Sequence, residues 1–282
     1  MRCGHSITLI LLSFLLSAPK HLDAQDAAAV GKIAWQHGPA SGSLGSQAKV
    51  NVPNGFVFAD DKGAKRFMEL TQNIPSGSEL GVLAPDDLKW FVVFEFDETG
   101  YVKDDEKGSL DADAMLKTIQ SATEKGNEER KRRGWGTLTV LDWMQPPHYD
   151  EITHNLEWSM KCQDDKGNLV ANHNTRYLGR RGVMRISLVA DTDALVSTLP
   201  KYRTLMSSFT YTPDNNYQSF VKGDKVAEYG LSALVVGGVA AVAAKSGLLK
   251  YLWKLIVVAV MGIGGWLKKL FSRKTQEPTQ AL

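Results

Sequence analysis

The sequence predicts an α+β fold: an antiparallel sheet with helices packed on one face, followed by a C-terminal hydrophobic helical membrane anchor. Three observations predict it. Period-2 alternation runs through three consecutive segments between residues 153 and 190, broken by Asp164-Asp165-Lys166-Gly167-Asn168 and Gly179-Arg180-Arg181-Gly182, as a meander requires. Apolar residues recur at helical spacing in 59–74 and 109–134. Two charge-free runs, 229–244 and 255–267, close the chain.

From the N-terminus, Arg2 gives a basic start and Ile7 to Leu16 an apolar run too short to span a bilayer. Residues 1–24 therefore read as a cleaved signal peptide, with Ala24 the best cleavage point, rather than as a retained anchor. Residues 25–49 are rich in Ala, Gly and Ser and read as a flexible linker. The domain proper is expected over 50–222. Asn51-Val52-Pro53-Asn54-Gly55 is a turn before a short strand, FVF. Asp60 or Asp61 opens a helix with Ala64, Phe67 and Met68 on one face. KWFVVFEF (89–96) is an aromatic and β-branched strand.

Ser109 or Asp111 opens the next helix, whose stripe is Leu110, Ala114, Met115, Ile119 and Ala122. Its last turn, EERKRR, places positive charge where the helix dipole favours it and reads as a solvated end. GTLTVLDW (136–143) is a strand, and PPHYDE (146–151) a stiff loop feeding the next one.

If Arg180-Arg181 is a two-residue turn, Leu178 pairs with Val183, Tyr177 with Met184, Thr175 with Ile186 and His173 with Leu188. Trp158, Met160 and Cys162 are expected to join that same inward face, with His154 at its edge. The opposite face would carry Glu157, Lys161, Arg176 and Arg185 outward. Asp191 or Thr192 then caps a helix that Pro200 interrupts or restarts, and Phe209–Tyr211 is a closing strand.

The C-terminal runs read as a membrane anchor over 226–270, with one or two helices, and 271–282 as a polar tail. Ala233, Gly237 and Ala241 form a small-residue face suited to packing in lipid. The seven Lys/Arg beyond Lys225 do not fix the number of spans.

Residues 26–225 hold 28 acids and 24 Lys/Arg, so the exported part is mildly acidic and a nucleic-acid partner is not expected. Cleavage after Ala24 would leave Cys162 alone, unable to form an internal disulfide and read as a buried structural thiol. His148, Asp150, Glu151, His154 and Glu157 crowd one stretch. A metal needs three or four ligands converging on one point. In the threaded register His154 and His173 lie roughly 14–20 Å apart along the strand direction, so they cannot share an ion. That leaves His148, Asp150 and His154 as acid/base candidates, and no metal or cofactor is assigned.

GYVKDDEK (100–107), GWGTLTVLDWMQPPHYDEITHNLEW (134–158), NTRYLGRRGVMRISLVAD (174–191) and FVKGDKVAEYGLSALVVGG (220–238) resemble the bacterial "predicted membrane-anchored protein" family, a domain of unknown function. The resemblance implies an envelope protein held in the inner membrane with its main domain in the periplasm. It implies no activity and no site residues. The order of sheet, helix and closing strand is similar to PsbP-like sandwiches, by fold analogy. The expected role is a non-enzymatic module that binds an envelope protein, through a basic stripe of Arg176, Arg180, Arg181 and Arg185. The alternative is a periplasmic hydrolase or metal-dependent enzyme using His148, Asp150 and His154.

Overall fold

The computed structural model describes Leu16 and residues 24–237. The stretch beyond, with most of the expected anchor, and the signal segment apart from Leu16 and Ala24 lie outside the described residues. No helix among the described residues is long and apolar enough to cross a membrane.

The chain runs α1 (Ala24–Val30), β1 (Gln36–His37), β2 (Ala40–Leu44), β3 (Ala48–Val52), β4 (Phe56–Asp60), α2 (Asp61–Leu70), β5 (Glu79–Pro85), β6 (Phe91–Asp97), α3 (Ala112–Arg132), β7 (Leu138–Asp150), β8 (Asn155–Asp164), β9 (Leu169–Leu178), β10 (Val183–Asp191), α4 (Leu195–Met206), β11 (Thr210–Tyr211) and α5 (Leu231–Val236). An eight-stranded sheet is ordered β1-β4-β5-β6-β10-β9-β8-β7, and a three-stranded sheet β11-β3-β2. Every strand pair in both sheets is antiparallel.

The starts of α2 and α3 follow capping chemistry, whereas α4 opens at Ala194 with no side-chain cap, not at the expected Asp191 or Thr192. Asp60 accepts a hydrogen bond from Gly63 N–H, and Asp111 from Ala114 N–H, each meeting an orphan donor of the first turn. α4 runs through Pro200 without a break.

The large sheet is covered on both faces, not one. α4 and the small sheet bury Phe58, Leu83, Phe94, Ile186 and Leu188 on the first face. α2 lies over β4 and β5 on the other, in a cluster with Val57, Val82, Phe91 and Val189. Further along that second face α3 and α5 cover Leu156, Trp158, Met160 and Cys162.

Residues 25–49 are not a linker. They form α1, β1, β2 and the start of β3. Their small side chains serve packing: a Cβ on Gly42 would sit 2.8 Å from the Phe58 ring. Ala48, Val50 and Val52 alternate inward along β3. Nor is PPHYDE a loop. β7 runs straight through Pro146-Pro147 with register shifts around them. It is the edge strand of the sheet, and the two prolines fall where its ladder to β8 is interrupted, between Gln145 and His148.

The β9–β10 register agrees with the sequence reading at Leu178–Val183, Tyr177–Met184, Thr175–Ile186 and His173–Leu188. The β8–β9 register does not. Trp158 lies opposite Asn174, Met160 opposite Asn172 and Leu156 opposite Arg176. Trp158, Met160 and Cys162 therefore share a face with the even residues of β9, not with His173 and Tyr177.

Candidate functional site

The polar stretch 148–157 closes as a hairpin, with residues 151–154 as its turn. The Asp150 carboxylate accepts the N–H groups of Thr153 and Ile152, which holds its pKa below the usual range. That carboxylate is thus engaged in capping the turn. His154 ends the turn at φ +53, a left-handed position that histidine tolerates better than most residues.

The hairpin distributes the candidates over two faces. His148 lies opposite Glu157, on the side of α4. Burial raises the Glu157 carboxyl, while Arg203 of α4 opposes the shift. His154 turns the other way. Its Nδ1 is 3.2 Å from Tyr149 Oη, and that hydroxyl donates to Asp104 Oδ2 at 3.1 Å. Its ring packs on Tyr217 at 4.5 Å. So His148 and Asp150 do not meet His154. Among the described residues, no three His, Cys, Asp or Glu side chains could hold a metal.

The basic stripe is likewise corrected. Arg176 is 2% exposed and Arg185 5%, because the face that carries them is roofed by helices. Arg185 bonds Glu95 and lies 3.5 Å from Asp97. Arg176 stacks over the Trp158 ring at 4.6 Å. Burial pushes its guanidinium down to about 9, with Arg185 adding to the shift and Asp97 and Glu95 opposing it. Arg180 is paired bidentately with Asp224, at 2.7 and 2.9 Å. That pairing draws the Asp224 carboxyl down to about 2. Only Arg181 of the four is exposed. The helix end EERKRR is also not wholly solvated: Arg130 is buried and donates to the carbonyls of Gly136 and Gln72.

Sequence reasoning missed the interior of this face. Between the clusters under α2 and under α3, β9 and β10 present Asn172, Asn174, Arg176, Arg185 and Ser187, all buried. Glu95 and Glu79 are cross-strand neighbours beside them, and Ser76 Oγ bonds both carboxylates. Burial raises the Asp97 carboxyl, with Arg185 opposing. At the other end of this seam, Asn172 holds the main chain of Leu16 through two hydrogen bonds. Cys162 lies next to Asn172, fully buried, and burial pushes its thiol up to about 12. A thiol so raised is inert at neutral pH.

Residues 36–266 match the family model described as "Protein of unknown function (DUF2167)". The chain belongs to that family. The match takes in both sheets and all helices from α2 to α5. No curated protein matches the chain. Among solved structures, it is similar to the PsbP protein CyanoP of Synechocystis sp. PCC 6803, with 13% identity over 58% of this chain and 86% of that one, at a TM-score of 0.36. It is also similar to the Ran-binding protein Mog1p of Saccharomyces cerevisiae, with 12% identity over 66% of this chain and 100% of that one, at a TM-score of 0.31. At such scores neither likeness carries an argument about function.

Proposed function

We propose that the chain is a non-enzymatic binding module of the bacterial envelope, tethered to the inner membrane with its domain in the periplasm and engaging a protein partner there. One observation carries this reading: the way the chain leaves the domain. Tyr101 N–H donates to Lys225 O, and Ala227 N–H donates back to Tyr101 O, both at 2.8 Å. Leu231, Leu234 and Val235 of α5 are then buried in the cluster that holds Trp158 and Ile119. The first apolar run, 229–244, begins within this packed segment, so residues 231–236 belong to the core of the domain and not, as expected, to the anchor. A module mounted without a spacer works within reach of the bilayer surface.

The test is fractionation with protease protection in a bacterial host, followed by crosslinking in intact cells. The module should sediment with the inner membrane and become protease-sensitive only when the outer membrane is opened. A cytosolic, protease-shielded chain sinks the reading. The alternative, a periplasmic hydrolase, has the chain Asp104–Tyr149–His154 in its favour, since a hydroxyl between a carboxylate and an imidazole can relay a proton. Hydrolysis of a model ester lost in His154→Ala but kept in His148→Ala would favour it.

A further inference from the structure

The seam between α2 and α3 is where the fold departs furthest from an apolar interior. Buried polar groups are costly unless they find partners. Most of the seam does so internally. Ser187 Oγ donates to Asn174 Oδ1 at 3.1 Å, and Arg185 bonds Glu95. Asn172 differs. It is fully buried, and both ends of its carboxamide face another piece of main chain. Its Oδ1 accepts from Leu16 N–H at 2.9 Å, and its Nδ2 donates to Leu16 O at 3.2 Å. A carboxamide that takes both the N–H and the C=O of one residue recognises backbone, whatever the side chain. The Leu16 side chain, 3% exposed, fills a slot in the apolar cluster that contains Phe67 and Leu70 of α2 and Val170 and Val189 of the sheet.

Leu16 stands ahead of Ala24, in the run that reads as a signal peptide. Processing would remove it. The Asn172 amide would then lose both main-chain partners, its Nδ2 keeping only the weak 3.9 Å contact with Cys162 Sγ, and the slot beside it would open. Water can meet the amide but not the slot; an acyl chain can fill the slot but not meet the amide. A peptide with an apolar side chain does both. We propose that in the processed protein this seam is a docking cleft for an apolar peptide segment of a partner protein. Asn172 holds one residue's main chain, and a leucine-class side chain enters the slot under α2. This rests on the reading of the chain as an exported, processed module.

The test uses the full chain, made with its own leader in an exporting host, purified in detergent, with its N-terminus fixed by mass spectrometry. It is titrated with a fluorescent peptide of residues 12–20, LSFLLSAPK, and with the same peptide N-methylated at the leucine that corresponds to Leu16. The processed chain should bind the first saturably and the second about tenfold or more weakly, the effect of one lost hydrogen bond that leaves a buried acceptor unmet. Asn172→Leu should weaken the unmodified peptide and erase the difference between the two. Equal binding of the two peptides, or no binding by a chain that has lost residues 1–24, overturns the cleft. So does a mature chain that keeps residues 1–24, since Leu16 is then a fixed part of the core. Fractionation decides the tether separately. A processed, membrane-bound chain that ignores the peptide leaves the tethered module standing without this cleft. A soluble processed chain that binds the peptide keeps the cleft and loses the tether.

Discussion

His173 ties stability to pH in a way that can be worked from its surroundings. It is fully buried under α4, with Nδ1 2.8 Å from Ser159 Oγ and its ring edge-on to Tyr202 at 5.2 Å. Nε2 has no hydrogen-bond partner. Burial, and then the neighbouring Arg203 guanidinium, push its pKa from 6.5 down to about 4. An imidazolium here would carry a second N–H with nothing to donate to. The unfolded chain takes up this proton near pH 6.5, and the folded chain only near pH 4. Between those values the unfolded state binds more protons, so stability falls as pH falls. The contribution is whole above the unfolded pKa. At about 1.4 kcal/mol per pKa unit, it declines by about 3 kcal/mol across the window. His173→Gln keeps a side chain able to bond Ser159 but removes the titration. Urea unfolding of the full chain in detergent, followed by tryptophan fluorescence from about pH 7 to about pH 4, should show wild type losing about 3 kcal/mol more than the variant. Carboxylates titrate in both proteins and cancel in the comparison. Parallel pH slopes, or an imidazole titrating near its ordinary value by NMR, would refute the reasoning.

Three further predictions follow from the same interior. Arg185→Met strands Glu95, which is itself buried, and should cost about 3–5 kcal/mol in urea unfolding; adding Glu95→Leu should recover most of the loss, because removing both charges removes the desolvation cost as well. Arg176→Met should be neutral or stabilising, since the guanidinium stacks on Trp158 without an ion pair among the described residues; a loss of more than about 2 kcal/mol would reveal an anionic partner. Gly182→Ala places a Cβ 2.0 Å from the Asp97 carbonyl oxygen and should lower the melting temperature by at least about 2–4 °C, the shift that a cost of about 1 kcal/mol gives in a domain of this size.

Much of the architecture was legible in the sequence, for local reasons. The β9–β10 register followed from one tight turn, and the starts of α2 and α3 from capping aspartates. What failed did so where local pattern and burial part company. Register is read from the contrast between a wet face and a dry one, and this sheet has no wet face over β8, β9 and β10. Asn172, Asn174 and Arg176 looked like an outward stripe because their polarity is ordinarily met by water. Here it is met by Leu16, Ser187 and the Trp158 ring. The proline pair hid the second half of β7, because the sequence does not announce that the strand is an edge. The small residues of 40–48 hid β2, because the Phe58 ring that requires Gly42 comes later in the chain.

The slip of one residue between β8 and β9 also reassigns the candidate chemistry. With Trp158 set beside His173, the arginines become a solvent-facing stripe, and His154 and His173 lie far apart on one inward face. With Trp158 set beside Arg176, the arginines are interior, His148 faces α4, and His154 faces Tyr149 across the sheet. The polar residues then form a seam along one roofed face, from the Glu95–Arg185 pair to Asn172. Sequences tend to break their own hydrophobic pattern at sites of function. Structural polarity closes mostly on itself, as Glu95, Asp97 and Arg185 do, with Arg185 Nε left unmet. The Asn172 end closes instead on a residue that an exported protein would discard, which marks it out as the part of the seam open to exchange with a partner.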